Sequence, residues 1–154
     1  MGNIKIEKTD SDLDFDVVYF SIEVRNQGYP TTGDLGFVGS VLMYGYMGRV
    51  EFQEVGTRVI EFSLNPTEGY CFQLSETLLG ADGNLLIEFL PTIHTGCVEI
   101  KICSEIKINT NRTERCEFYI KSELGLIEQF GKRLKSFAEQ GGLQEVNLHT
   151  MNNE

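Results

Sequence analysis

Four aspartates at alternate positions near the start of the chain form its most unusual local feature: Asp10, Asp12, Asp14 and Asp16. Read from the second of them, the series together with Glu23 matches positions one, three, five and twelve of a calcium-binding loop. Such a loop requires glycine where Val17 stands, and residues 17–24 alternate as a strand does. We therefore expect no metal here. The series is either a solvated segment that deters strand pairing or a docking surface for a basic partner.

Histidines and cysteines are the other candidates for metal binding or nucleophilic catalysis, and they are few: His94, His149, Cys71, Cys97, Cys103 and Cys116. The cysteines form no CxxC pair and have no zinc-finger spacing. Cys97 and Cys103 fall in one predicted strand about 20 Å apart, which is too far for a disulfide. We expect free thiols, no metal and no cofactor.

Motifs for catalysis or phosphate binding are absent from the sequence. The glycine-rich segment 33–48 contains no GxGxxG or GxxxxGK[ST], and no lysine stands between Lys8 and Lys101 to meet a phosphate. Neither GxSxG nor HExxH occurs. We expect a protein without catalytic activity, and a hydrolase with no readable motif stays an alternative.

The charge of the chain indicates which partners it would attract. Its 154 residues carry 13 basic and 23 acidic side chains, a net charge of −10. This balance disfavours nucleic acid and anionic membranes and favours a basic partner. The N-terminus has no signal-peptide core, and the longest uncharged stretch, residues 35–48, is too short to span a bilayer. We expect a cytoplasmic protein.

Alternating apolar and polar residues predict several strands. The clearest are residues 17–25 and 97–108, and shorter ones are expected at 4–6, 60–64, 72–74, 85–90 and 116–120. Residues 33–48 are ambiguous between helix and strand, and we favour a short helix there that leads into a strand at 49–53. No internal repeat is visible.

One amphipathic helix is predicted near the C-terminus, at about 122–139. Its apolar residues recur every three or four positions, with Ser122 as the N-cap, and Gly141-Gly142 ends it. The predicted fold is α+β: a mainly antiparallel sheet of about six to eight strands packed by this helix. Residues 1–142 would form one domain, and 143–154 a flexible tail.

Three segments together resemble a known kind of protein: Val17–Tyr29, Arg58–Asn65 and Glu117–Phe137. Their order and spacing are similar to those of small bacterial β-rich immunity proteins, which are encoded beside polymorphic toxins. The resemblance implies an inhibitor that binds one basic toxin and performs no chemistry. The partner-binding residues would then be the four aspartates, with Tyr44 and Tyr46 as aromatic anchors.

A second function is compatible with the same elements. Several amphipathic strands rich in large aromatic residues could form a barrel or half-barrel around an apolar cavity, closed by the C-terminal helix. The protein would then carry a small molecule. A filled cavity would distinguish this carrier from an inhibitor.

Overall fold

A computed structural model describes residues 3–10, 16–27, 38–76, 82–92, 96–109, 112–139 and 141–149 of the chain. In chain order, its elements are β1 (Asn3–Asp10), β2 (Val17–Gln27), β3 (Val38–Gly48), α1 (Arg49–Leu64), β4 (Tyr70–Glu76), β5 (Asp82–Phe89), β6 (Cys97–Asn109), β7 (Arg112–Glu123), α2 (Leu124–Ala138) and β8 (Glu145–His149). Sheet A has the strand order β3-β2-β1-β8, and sheet B the order β4-β5-β6-β7. Every pairing is antiparallel. The predicted α+β class is confirmed.

The expectation of a single, C-terminal helix is wrong, because α1 is a second helix where strands were predicted at 49–53 and 60–64. Within 60–64 the apolar residues Ile60, Phe62 and Leu64 alternate with polar ones. Only Phe62 of these three is buried, and Leu64 is exposed. Phe52, Val59 and Phe62 share one face at helical spacing, together with the buried Gly56. A longer window over this segment therefore has the helical period.

Residues 38–48 form a strand, so the short helix favoured within 33–48 is wrong for this part; residues 33–37 lie outside the described chain. Along β3, Val41, Met43 and Gly45 are buried, and the residues between them are exposed. Glycines spaced by three disfavour a helix, whereas alternating branched and aromatic residues suit a strand with one buried face.

The C-terminal region agrees with the predicted helix but not with a loose tail. Helix α2 lies within the predicted range, yet its N-cap position is Glu123, and Ser122 is buried below it. The Ser122 hydroxyl donates a hydrogen bond to the His149 carbonyl at 3.1 Å. Residues 145–149 of the expected tail form β8 because Val146 and Leu148 alternate with polar residues and are buried against the core.

The two halves of the chain have the same element order, although the sequence shows no repeat. Three antiparallel strands lead into a helix twice, as β1-β2-β3-α1 and as β5-β6-β7-α2. The strand after each helix joins the other half's sheet, since β4 pairs with β5 and β8 pairs with β1. Each half therefore supplies the fourth strand of the other's sheet. We call equivalent elements counterparts, so that β3 corresponds to β7 and α1 to α2.

The two helices cross at a pair of glycines, and their contacts are reciprocal. Gly56 and Gly131 are each the eighth residue of their helix. A Cβ on Gly56 would lie 2.8 Å from the Gly131 carbonyl oxygen, and a Cβ on Gly131 would lie 2.9 Å from that of Gly56. Only glycine permits this approach without a shift of backbone. The reciprocity indicates that the halves are related by an approximate twofold axis at the crossing.

The C-terminal end of α2 is held by two cationic side chains from the first half. The Arg49 guanidinium donates a hydrogen bond to the Ala138 carbonyl. Lys8 Nζ lies 3.4 Å from the Glu139 carbonyl oxygen and 5.3 Å from the Phe137 ring centre. Positive charge is favourable at this end because the last carbonyls of a helix have no intrahelical partner.

Aromatic rings connect both sheets to the helices in one core. Phe52 of α1 packs edge-on against Phe20 of sheet A at 5.5 Å, and Phe62 packs against Phe89 of sheet B at 5.4 Å. The buried apolar residues of the two sheets and both helices form a single cluster. Within the described residues, no helix has the length and apolar character to cross a membrane.

Candidate partner-binding site

An apolar strip covers the solvent side of β3 and continues into the first turn of α1. Seven large apolar side chains are exposed among the described residues, and four of them lie within residues 42–50. Their exposed fractions are 56% for Leu42, 39% for Tyr44, 48% for Tyr46 and 77% for Val50. We call these four residues the β3 strip. Apolar groups gathered in this way are typical of surfaces that bind another molecule.

The neighbouring strand β2 extends the strip with a further tyrosine. Tyr19 pairs with Tyr46 in the ladder, and their ring centres are 5.8 Å apart. Tyr19 also pairs with Asp10 of β1, so the backbones of Asp10, Tyr19 and Tyr46 form one row across sheet A. Sequence reasoning named Asp10 and Tyr46 separately, and the ladder brings their backbones to the same end of the sheet.

Asp16 lies at the same end. Its side chain is exposed, and its backbone carbonyl accepts a hydrogen bond of 2.6 Å from the Arg49 amide. This bond links the start of β2 to the start of α1, just beyond Tyr46. Asp12, Asp14 and the side chain of Asp10 lie outside the described part of the chain. Of the four predicted aspartates, Asp16 is thus the one whose side chain has a described position.

The counterpart surface on sheet B is covered by charged side chains. Lys101 Nζ lies 3.3 Å from a Glu117 carboxylate oxygen, and an Arg115 nitrogen lies 3.3 Å from the other. The Glu117 carboxylate raises the pKa of Lys101, through a hydrogen bond and its charge. Tyr119 is the one large apolar side chain exposed on β7 among the residues whose exposure is described. Sheet B therefore has a paired, polar face where sheet A has the strip.

Two open clefts lie between α1 and β4, and one of them reaches the C-terminal end of β3. One has a volume of about 270 Å³ and is lined by Met47, Glu51, Glu54, Val55, Arg58 and Tyr70. The other, of about 210 Å³, shares Arg58 and Tyr70 and reaches Glu61 and Glu68. We call the first of them the α1–β4 cleft. Glu51 connects it to the strip, since Glu51 follows Val50 and its side chain lies over Gly48.

The charges in the α1–β4 cleft are partly balanced. The Arg58 guanidinium lies 3.5 Å from a Glu61 oxygen and 4.0 Å from a Glu54 oxygen. Tyr70 stacks on Phe72 at 5.9 Å, and burial raises the pKa of Tyr70 to about 12. The nearby Arg58 opposes that shift and Glu54 adds to it. The Tyr70 phenol is therefore neutral at physiological pH and available as a hydrogen-bond donor.

The other residues considered for chemistry do not converge in the described part of the chain. No group of three or more histidine, cysteine or acidic residues there is placed to hold a metal ion. Glu23, the last member of the calcium-loop pattern, lies within β2 and forms an ion pair with Arg25. The four cysteines are free, and Cys103 accepts a hydrogen bond from Arg115 Nε at 3.3 Å. His94 lies outside the described residues.

Sequence reasoning missed three residues of this surface: Tyr19, Leu42 and Val50. A signal for Leu42 was present, because alternating large side chains in an uncharged run predict two faces, one of which is exposed where the sheet has a solvated face. Val50 could not be found, since its position depends on α1 starting at Arg49.

Comparisons of the chain with protein-family models, curated proteins and solved structures gave no match.

Proposed function

We propose that this protein is a non-enzymatic binding protein that holds a basic protein partner through the β3 strip, in the manner of an immunity protein that neutralises a toxin. The single observation that carries the proposal is the grouping of exposed apolar side chains within residues 42–50. Tyrosine is enriched among the residues that dominate protein interfaces, because its ring buries a large area and its hydroxyl still finds a partner.

Charge supports a basic partner. The chain carries a net charge of −10, and the strip itself contains no charged residue. Asp16 and Glu51 lie beside it, before β2 and over Gly48, while Glu23, opposite Leu42, is paired with Arg25. An uncharged centre with carboxylates at its margin is an arrangement in which apolar contacts supply affinity and charges supply fast association.

The test uses the full-length protein and a matched pair of variants. Tyr44→Ala/Tyr46→Ala removes the centre of the strip, and Tyr119→Ala removes the counterpart of Tyr44 on sheet B. Protein captured from the native host lysate at low and high salt is identified by mass spectrometry. We expect one basic partner, bound by the wild type and by the Tyr119→Ala variant. The double variant should bind it at least about thirty-fold more weakly, as for the loss of a residue pair worth about 2 kcal/mol.

The captured partner then decides between binding and neutralisation. Expressed alone in a heterologous bacterium it should arrest growth, and co-expression of the wild-type chain should restore growth. The double variant should fail to restore it. A partner bound equally by all three proteins would exclude the strip, and a partner that is harmless alone would exclude the immunity function.

A small-molecule carrier remains the second candidate, and no observation favours it. Large aromatic residues fill the described core: Phe20, Phe89, Phe130 and Phe137 are fully buried. The two clefts described above open at the surface. Unchanged melting in a screen of apolar ligands would weigh against the carrier, and a ligand found in the core would support it.

A further inference from the structure

Helix α1 contributes three side chains to the α1–β4 cleft that differ from their counterparts on α2. Counted from the start of each helix, Glu51, Glu54 and Val55 correspond to Leu126, Gln129 and Phe130. Phe130 is fully buried and fills its half of the core, whereas Val55 is smaller and half-buried at the cleft. The first half thus has an opening with two carboxylates where the second half has uncharged side chains and a buried phenylalanine.

From this difference we infer that the α1–β4 cleft accepts one basic side chain, lysine or arginine, of a protein partner. A side chain of this kind has an apolar stem and a cationic head. Met47, Val55 and the Tyr70 ring offer an apolar wall for the stem, and Glu51 and Glu54 offer carboxylates for the head. The identity of the partner rests on the proposed function, because the same acidic chain must attract it.

Arg58 neutralises part of the acidic charge beside the cleft. Its guanidinium lies between Glu54 and Glu61 and attracts both carboxylates. Glu51 makes no ion pair with it and lies at the other side of the cleft, over Gly48. An incoming cation therefore meets Glu51 and the side of Glu54 that faces away from Arg58, and the neutral Tyr70 hydroxyl can accept a hydrogen bond from it.

The cleft and the β3 strip lie on opposite sides of β3 and come together at the first turn of α1. Val50 belongs to the strip and Glu51 to the cleft, whereas Met47 and Tyr46 are consecutive on β3 and so face opposite sides of sheet A. Because β3 is an edge strand, a partner lying on the strip would reach the cleft with a side chain that passes around this edge. Two contacts of different chemistry would then determine the orientation of the partner, one by apolar burial and one by charge.

The experiment titrates full-length protein with N-acetyl-arginine amide and observes it by ¹H–¹⁵N NMR. The matched neutral probe is N-acetyl-citrulline amide, which has nearly the same shape without the charge. We expect saturable shifts at Val55, Arg58 and Tyr70 with the arginine probe and none with the citrulline probe. Glu54→Gln should weaken binding about two- to five-fold, as for the loss of one exposed charge contact. Val55→Phe, which copies the counterpart residue, should abolish it.

Tyr44→Ala/Tyr46→Ala serves as the control, since it alters the strip and leaves the cleft intact; its shifts should equal those of the wild type. Equal shifts from both probes, no shifts at the cleft, or an unchanged affinity of the Glu54→Gln variant would overturn the inference. Because the probe is a small molecule, these results do not depend on the natural partner. The proposed role of the cleft and the proposed role of the strip are therefore tested separately.

Discussion

Strands β3 and β7 hold equivalent places in the two halves of the chain, but their exposed side chains differ in chemistry. Counted back from the helix that follows each strand, Leu42, Tyr44 and Tyr46 correspond to Glu117, Tyr119 and Lys121. Both strands lie at the edge of their sheet. On β7, Glu117 is paired with cations across the ladder and within the strand, as is usual for a solvent face. On β3, the charged residues are replaced by apolar ones.

The difference separates what the fold requires from what it does not. Inside the molecule most counterparts agree: the fourth, eighth, eleventh, fourteenth and fifteenth residues of both helices are buried, and glycine occupies the crossing in both. Outside, the edge strands β3 and β7 differ, although β1, β2 and β8 of sheet A carry ion pairs as sheet B does. Packing therefore explains the shared features, and it leaves the β3 strip without a structural reason. Exposed apolar side chains grouped in this way are typical of interaction sites, and the proposed partner rests on this observation.

The largest expected effect concerns β4 and β8, the strands that each half supplies to the sheet of the other. It tests whether these two strands stabilise the fold equally. Leu74 of β4 and Leu148 of β8 are buried counterparts. Truncating either to alanine should reduce the free energy of unfolding by about 2–5 kcal/mol, the usual cost of a cavity at a buried leucine. Leu143→Ala, at an exposed site before β8, should cost little. Urea denaturation measures all three. A negligible effect of Leu148→Ala alone would show that β8 contributes less than β4.

A smaller effect is expected at the helix crossing, and it should be the same on both sides. Gly56→Ala and Gly131→Ala each place a Cβ within 3 Å of a backbone oxygen. Each should reduce stability by about 1–3 kcal/mol through overpacking, despite the better helix propensity of alanine. Gly125→Ala, where nothing lies within 4 Å, should be neutral or stabilising. Thermal melts followed by circular dichroism provide the comparison, and clearly unequal losses would contradict the reciprocal crossing.

The outer faces should respond differently to salt. Glu117→Gln breaks the ion pairs with Lys101 and Arg115, so it should lower the melting temperature slightly at low salt and less at high salt. Leu42→Ala, at the counterpart position, removes an uncharged and exposed side chain. Its small effect should not depend on salt. Melting temperatures at two ionic strengths test this, and a salt-dependent effect of Leu42→Ala would weaken the contrast between the faces.

The smallest effect concerns the α1–β4 cleft at high pH. Burial raises the pKa of Tyr70 to about 12 in the folded protein, above its ordinary value near 10. The neutral phenol is therefore favoured by folding. Its contribution to stability is complete below pH 10 and is lost as the pH rises towards 12. Ultraviolet titration of the wild type and of Tyr70→Phe should give a difference curve with a midpoint well above 10; a midpoint at 10 would show that the cleft leaves Tyr70 in water.

The sequence predicted the parts of the fold whose local pattern agrees with their burial. Strands β2 and β6 alternate along most of their length, and α2 has apolar residues at helical spacing, so each was located correctly. Helix α1 was missed because its apolar residues are not confined to one face, with Val50 and Leu64 exposed, and because a five-residue window at 60–64 alternates by chance. Helix propensity and the short alternating pattern favour different structures in this segment. The helix forms because it allows Phe52 and Phe62 to pack against the two sheets.

The candidate site was predictable only in part. Tyr44 and Tyr46 were named as anchors because large aromatic residues in an uncharged segment invite a partner, and both are exposed. Tyr19 joins them through the β2–β3 register, which no single sequence reveals. The α1–β4 cleft depends on two elements whose approach is set by tertiary packing. The side chains of the cleft differ from those of the second half at positions that correspond only in the folded structure, where the two helices cross at Gly56 and Gly131.

The pairing of β1 with β8 has a consequence for the folding of the protein. Asn3 lies opposite His149 in the ladder, so the first strand of the fold pairs with the last. Sheet A, which bears the strip, therefore remains one strand short until β8 has been synthesised, and closing it joins segments that are far apart in sequence. Until then, the open edge of β1 is accessible to other chains, so slow closure of sheet A exposes the nascent chain to wrong strand pairing.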